Sequence, residues 1–164
     1  MSRITYIAEA LFDGDSIRRE VPLTVEAGHV LALDRVAGAQ EVRLAGLLVP
    51  GFIDVQVNGG GGVLFNDAPT AECIARIGAA HARFGTTGFL PTLITDRVDV
   101  MQRAADAVAD ALRRDIPGVL GVHFEGPHLS VAKKGVHDPR FIRALTADEL
   151  ALFARDDLGV RVVT

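Results

Sequence analysis

The sequence predicts an α/β protein in which strands and helices alternate along a parallel sheet, behind a short all-β opening. Three observations carry this. Up to Leu44, apolar residues recur with period two between turn-forming glycines. From Leu47 onward, short continuous apolar runs alternate with segments of helical spacing, the βαβ series that builds a parallel sheet. Residues capable of chemistry stand at the C-terminal ends of those runs.

The opening strands come first. Ile4, Tyr6, Ala8 and Ala10 alternate with other residues, as do Val21, Leu23 and Val25, and Gly28 marks a turn. Val30, Leu31 and Leu33, then Val42 and Leu44, complete a small antiparallel sheet assigned to residues 1–47. The run LLVPGFIDV has the character of a strand covered on both faces. A glycine-rich loop, Asn58 to Asp67, follows and is expected to be a flexible connection. Ile74, Ile77, Ala80, His81 and Phe84 recur at helical spacing after Pro69. TGFLPTLIT is a second buried strand, and Val98, Met101, Ala105, Val108 and Leu112 mark an amphipathic helix over 96–114. Pro117-Gly118 breaks it, GVLGVHF is a third strand, and Thr146 with Glu149 spells a capping box ahead of Leu150 and Phe153. Val160, Val162 and Val163 open a fourth strand. Four such strands over 48–164 fit about the first half of a (β/α)8 barrel, with a doubly wound sheet as the alternative. The chain is accordingly expected to be the front portion of a longer protein.

Composition narrows the function class. The formal net charge is -4 and no Lys/Arg run is present, which argues against a nucleic-acid partner. The first residues hold no long apolar run, so neither a signal peptide nor a membrane span is expected, and a cytoplasmic protein is the default. Cys73 is the only cysteine and fits a small core residue better than a nucleophile.

Two strand ends carry candidate chemistry. Asp54, Gln56 and Asn58 share one face, because side chains alternate along a strand. Polar groups there need partners or a ligand, and the amides of Gln56 and Asn58 either satisfy the interior or border a site. Amides are poor zinc ligands beside imidazole. In HFEGPH, His123 and Glu125 point the same way. A carboxylate leaving a buried strand binds a cation or pairs with an arginine, which makes Glu125 a metal-ligand candidate. His123 is a candidate for a supporting or core role near the site. His128, beyond Pro127, and the distant His29 and His81 carry weaker signals. His137, in KKGVH, lies on the kind of loop that contacts substrate in barrels, or is simply an exposed loop histidine.

Three ordered segments, PGFIDVQVNGGGGVLFND, GTTGFLPTLITD and HFEGPHLSVAKKGVHDP, resemble the N-acetylglucosamine-6-phosphate deacetylases of the amidohydrolase superfamily. The resemblance implies a (β/α)8 barrel with a small β-sandwich, to which residues 1–47 contribute. It implies hydrolysis of N-acetylglucosamine 6-phosphate to glucosamine 6-phosphate and acetate, with a divalent metal, often zinc, activating water. It makes Glu125 a metal ligand, Val136 and His137 substrate contacts, and Gln56 with Asn58 the pair seen in single-metal members. It implies a homodimer acting on a small sugar phosphate. The family's remaining ligands and its acid/base aspartate have no counterpart here, so no catalytic residue is assigned and the chain alone is expected to be inactive. Two other readings stand beside it. A dihydroorotase-like or hydantoinase-like amidohydrolase would normally show His-x-His where Gln56-x-Asn58 stands, and a non-catalytic sugar-phosphate binding protein would keep the motifs without turnover.

Overall fold

The computed structural model describes residues 2–164, which divide into two compact units meeting in sequence at Pro50 and Gly51.

The first unit is a five-stranded sheet built on β1 (Arg3–Phe12). Strands β2 (Ile17–Arg19) and β3 (Pro22–Glu26) pair antiparallel with its two halves, and β4 (His29–Ala32) continues from β3. The last strand, β5 (Gln40–Leu48), runs parallel to β1 along most of its length. The sheet is therefore mixed, where alternation alone suggested antiparallel pairing throughout. Period-two patterning reports which face is buried and says nothing about strand direction. Ile7, Ala8 and Leu11 are buried, and the hydroxyls of Thr5 and Thr24 meet at 2.8 Å.

The second unit holds four parallel strands in the order β11-β10-β9-β6. They are β6 (Phe52–Val57), β9 (Thr86–Ile94), β10 (Gly121–Glu125) and β11 (Val160–Val163). Between β6 and β9 lie the short pair β7 (Gly59–Gly60) and β8 (Val63–Leu64), then helix α1 (Ala71–Ala82). Helix α2 (Val98–Arg113) joins β9 to β10, and α3 (Ala147–Phe153) precedes β11.

Local chemistry explains the helix boundaries. The Thr70 hydroxyl accepts the Cys73 amide at 3.1 Å, capping α1. The expected capping box closes α3: Thr146 accepts the Glu149 amide while the Glu149 carboxylate accepts from the Thr146 backbone. Ile74 and Ile77 from α1, Met101, Ala104, Ala105, Val108 and Ala111 from α2, and Phe89, Leu93, Val122 and Phe124 from the sheet form one apolar core. The alanines let α2 lie close to its neighbours. Cys73 is buried, as its apolar setting suggested. Phe84 is not part of the core. It lies two residues beyond the end of α1 and is 80% exposed, because the helical phase that predicted an inward side chain stops at Ala82.

The run LLVPGFIDV also departs from expectation. It is two strands, β5 and β6, separated at Pro50, which has no amide to donate to a ladder. Nor is β6 covered on both faces: Phe52, Ile53 and Val55 are exposed, Ile53 by 67%. An apolar run reports a capacity for burial, and β6 ends the strand order with no neighbour on its other side among the described residues.

No described helix is long and apolar enough to cross a membrane.

Candidate active site

The sheet has two unlike faces. Phe89, Leu93, Val122 and Phe124 join the helix-side core, so the alternating Thr92, His123 and Glu125 lie on the other face. At the C-terminal ends of β6, β9 and β10 this face opens into a cavity of about 330 Å³, lined by Gln56, Asn58, Leu64, Asn66, Ile94, Glu125, Val136 and His137. A larger hollow of about 500 Å³ beside the glycine loop carries only Asp67 as an ionisable group. The smaller cavity is the better candidate because convergent polar groups, not volume, mark a reactive site.

The cavity therefore gathers Gln56, Asn58, Glu125, Val136 and His137 from three separate parts of the sequence. It does not include Asp54, whose carboxylate accepts its own neighbour's amide, from Gln56, at 3.1 Å. The side-chain Nδ2 of Asn58 is buried and has no partner among the described residues, while the Asn58 backbone carbonyl accepts the Phe65 amide at 2.9 Å. The latter bond closes the glycine loop, which is an ordered hairpin rather than a flexible connection. Gly61 and Gly62, with φ of 60° and 82°, form its two-residue turn, a conformation few other residues adopt twice in succession. His81 Nε2 holds the Gly59 carbonyl at 3.0 Å, which accounts for that histidine structurally.

Sequence patterning did not single out Asn66. Its side-chain amide clamps the end of β9, accepting from the Ile94 amide at 3.0 Å and donating to the Ile94 carbonyl at 3.1 Å and to Asp96 at 3.1 Å. The pairing is 28 residues away in sequence and has no local signature.

Glu125 leaves β10 partly exposed at the cavity wall. No lysine or arginine pairs with it among the described residues; the charged-group contact it makes is with His137 Nε2, at 3.6 Å. The ion-pair alternative for Glu125 thus finds no arginine. His137 is not an exposed loop histidine. It is 6% exposed, and its Nδ1 meets the Thr95 hydroxyl at 2.8 Å and the Thr95 amide at 3.4 Å. Val136, beside it, is 88% exposed.

His123 is a buried bridge outside the cavity lining. Its Nδ1 meets the Val55 carbonyl at 3.0 Å and its Nε2 the Thr164 hydroxyl at 2.7 Å. Since a carbonyl only accepts, Nδ1 carries the proton and Nε2 accepts from Thr164. Val55 is free for this because the β6–β9 ladder is irregular between Asp54 and Val57. Pro91, opposite Val57, has no amide, and the Val57 amide turns to the Thr92 hydroxyl at 2.9 Å. Both ring nitrogens of His123 are engaged within the protein, so it offers no lone pair to a ligand. His128 also lies outside the cavity. It donates from Nδ1 to the Arg143 carbonyl at 3.1 Å and packs edge-on against Phe153.

A catalytic zinc takes about three protein ligands plus water. Among the described residues no three His, Cys, Asp or Glu side chains cluster tightly enough to hold an ion. Glu125 presents one suitable carboxylate, and the residues of this chain do not by themselves complete a metal site.

No family model matches the chain. Individual proteins do. An N-acetylgalactosamine-6-phosphate deacetylase from Shewanella sp. (strain ANA-3) is 58% identical over 120 residues, covering 73% of this chain and 30% of that protein. The N-acetylglucosamine-6-phosphate deacetylase of Homo sapiens is 35% identical over 167 residues, covering 92% of this chain and 40% of that protein. Among solved structures, the N-acetylglucosamine-6-phosphate deacetylase from Pasteurella multocida superposes with a TM-score of 0.85 at 31% identity, over 92% of this chain and 41% of that one. A Mycobacterium smegmatis variant in complex with N-acetyl-D-glucosamine-6-phosphate gives 0.79 at 28% identity, over 92% and 40%. The chain thus spans well under half the length of these relatives. Shared sequence and shared fold together establish that it belongs to the N-acetylglucosamine-6-phosphate deacetylase family of amidohydrolases.

Proposed function

We propose that the protein carrying this chain hydrolyses the N-acetyl group of an N-acetylated amino-sugar 6-phosphate, N-acetylglucosamine 6-phosphate in the first instance, releasing acetate. The observation that carries this is the cavity in which Glu125, His137, Val136, Gln56 and Asn58 meet, in a chain whose relatives are named for that reaction. In this reading the four parallel strands are the first half of a (β/α)8 barrel and the first unit is part of a small β-sandwich. Two features support the barrel. The face opposite the helices carries Thr92, His123 and Glu125 toward its C-terminal end, and His123 reaches the backbone of a strand two positions away. In a flat sheet that distance is about 9–10 Å, so the sheet must curl toward that face.

The assignments follow from position. Glu125 contributes one ligand to a divalent metal, zinc in the first instance, whose chemistry when bound is to activate water. His137 and Val136 contact the sugar, and the amides of Gln56 and Asn58 line the pocket floor, with the free Asn58 Nδ2 as a donor. The chain by itself releases no acetate, because its residues do not complete the metal site. The functional protein is a homodimer.

The Shewanella relative favours a second reading, in which the substrate is the galacto epimer. Acetate release measured on both sugar phosphates separates the two, and turnover of neither removes the deacetylase reading. In the same protein, Glu125→Gln is expected to lower bound metal and kcat/KM together, by about tenfold or more; unchanged metal content with normal turnover would refute the ligand role. A dihydroorotase-like activity predicts turnover of cyclic amides instead.

A further inference from the structure

We infer that Thr95 is a positioning residue: it holds His137 in the tautomer that donates a hydrogen bond into the cavity and withholds it from metal ligation. The inference rests on the reading of this cavity as the substrate site, but its core is a statement about one imidazole ring.

Thr95 acts on the ring first through its backbone. Its amide lies 3.4 Å from His137 Nδ1, and an amide can only donate. A proton on Nδ1 would face that amide hydrogen directly, so Nδ1 is an acceptor. The Thr95 hydroxyl, 2.8 Å from the same nitrogen, is then its main donor, with the long amide contact adding to it. In the neutral ring the proton therefore sits on Nε2, the atom that faces Glu125 Oε1 at 3.6 Å. A protonated Nε2 has no lone pair for a metal, but it can donate to a hydroxyl or carbonyl oxygen. Burial of the ring and of Thr95 keeps water from competing for Nδ1.

The surroundings fit that role. Thr95 stands at the end of β9, where Asn66 fixes the chain through Ile94 and Asp96. Gly126, directly after Glu125, leaves the space that the Thr95 hydroxyl occupies: a Cβ there would come within 2.1 Å of Thr95 Oγ1. The glycine of HFEGPH thus serves a contact to His137, 11 positions along the chain.

The test is the ¹⁵N chemical-shift pattern of the His137 imidazole in the protein carrying this chain, at a pH where the ring is neutral. His137→Gln assigns the resonances. The wild type is expected to show a protonated Nε2 and a bare Nδ1. Thr95→Val, equal in shape but without the hydroxyl, leaves Nδ1 only the long 3.4 Å amide contact, too weak to fix the ring alone, and should give a mixture of tautomers and a fall in kcat/KM of about tenfold or more. Thr95→Ser should restore both. A wild-type Nδ1–H signature, or a folded Thr95→Val with an unchanged pattern, would overturn the inference. So would a folded Thr95→Ser protein that fails to restore it. If the wild type turns over neither sugar phosphate, the substrate-site reading fails while the tautomer result stands on its own.

Discussion

Replacing Arg143 by alanine is expected to destabilise the second unit by about 3–5 kcal/mol, the range seen when one member of a buried ion pair is removed. Glu149 is fully buried, and its carboxylate is held by the Arg143 guanidinium, at 2.6 and 2.8 Å. The same guanidinium donates to the Asp96 and Phe141 carbonyls at 2.9 and 2.8 Å, tying α3 to the loop before α2. Without it the buried carboxylate loses its counter-charge and two carbonyls lose their donor. Urea unfolding should show the midpoint fall, and a double variant, Arg143→Met with Glu149→Met, should recover a good part of the loss because no charge is then left buried. A loss below about 1 kcal/mol for Arg143→Ala would show that the pair contributes little.

The same pair sets a pH dependence. Burial alone would raise the Glu149 carboxyl, but hydrogen bonds from Thr146 and the charge and hydrogen bonds of Arg143 outweigh it and hold it below its ordinary value of 4.5. A carboxyl with a depressed folded pKa contributes stability that is fully present above its unfolded value and is lost as the pH falls through the folded one. The wild type should therefore lose stability on acidification from about pH 5 downward, and Glu149→Gln should flatten that slope. Equal slopes in the two proteins would remove Glu149 as a source of the acid sensitivity.

The second large effect is expected from Gly126→Ala. At Gly126 φ is +90°, a region that side chains disfavour, and the new methyl would overlap the Thr95 hydroxyl. Backbone strain and overpacking each cost about 1–3 kcal/mol, so a loss of about 2–6 kcal/mol is expected. The damage should be directed as well as large, because the displaced atom is the one that holds His137. The protein should lose the Nε2–H signature of His137 even where it remains folded. A stable Gly126→Ala protein with its His137 tautomer unchanged would show that the loop relaxes without disturbing Thr95.

Much of the fold was legible because its signals are local. Hydrophobic period distinguishes α1 and α2 from the strands, and Thr146 and Glu149 announce a helix start three residues apart. The placement of Glu125 was legible for the same reason: alternation in β10 sets it opposite the core residue Phe124, at the strand's end. What the sequence by itself determined is thus the order of elements, the two faces of each strand and the motif that marks the site. Only the tertiary structure decided which groups are buried and what they touch. The exposure of β6, the burial of His137 under Thr95, the clamp of Asn66 on β9 and the pairing of Arg143 with Asp96 all depend on segments brought together by packing. Residue type and spacing carry the period of a helix or strand. Hydrogen bonds between residues some 30 to 70 positions apart depend on the packed arrangement, and those bonds decide that His137 presents a donor while His123 presents nothing.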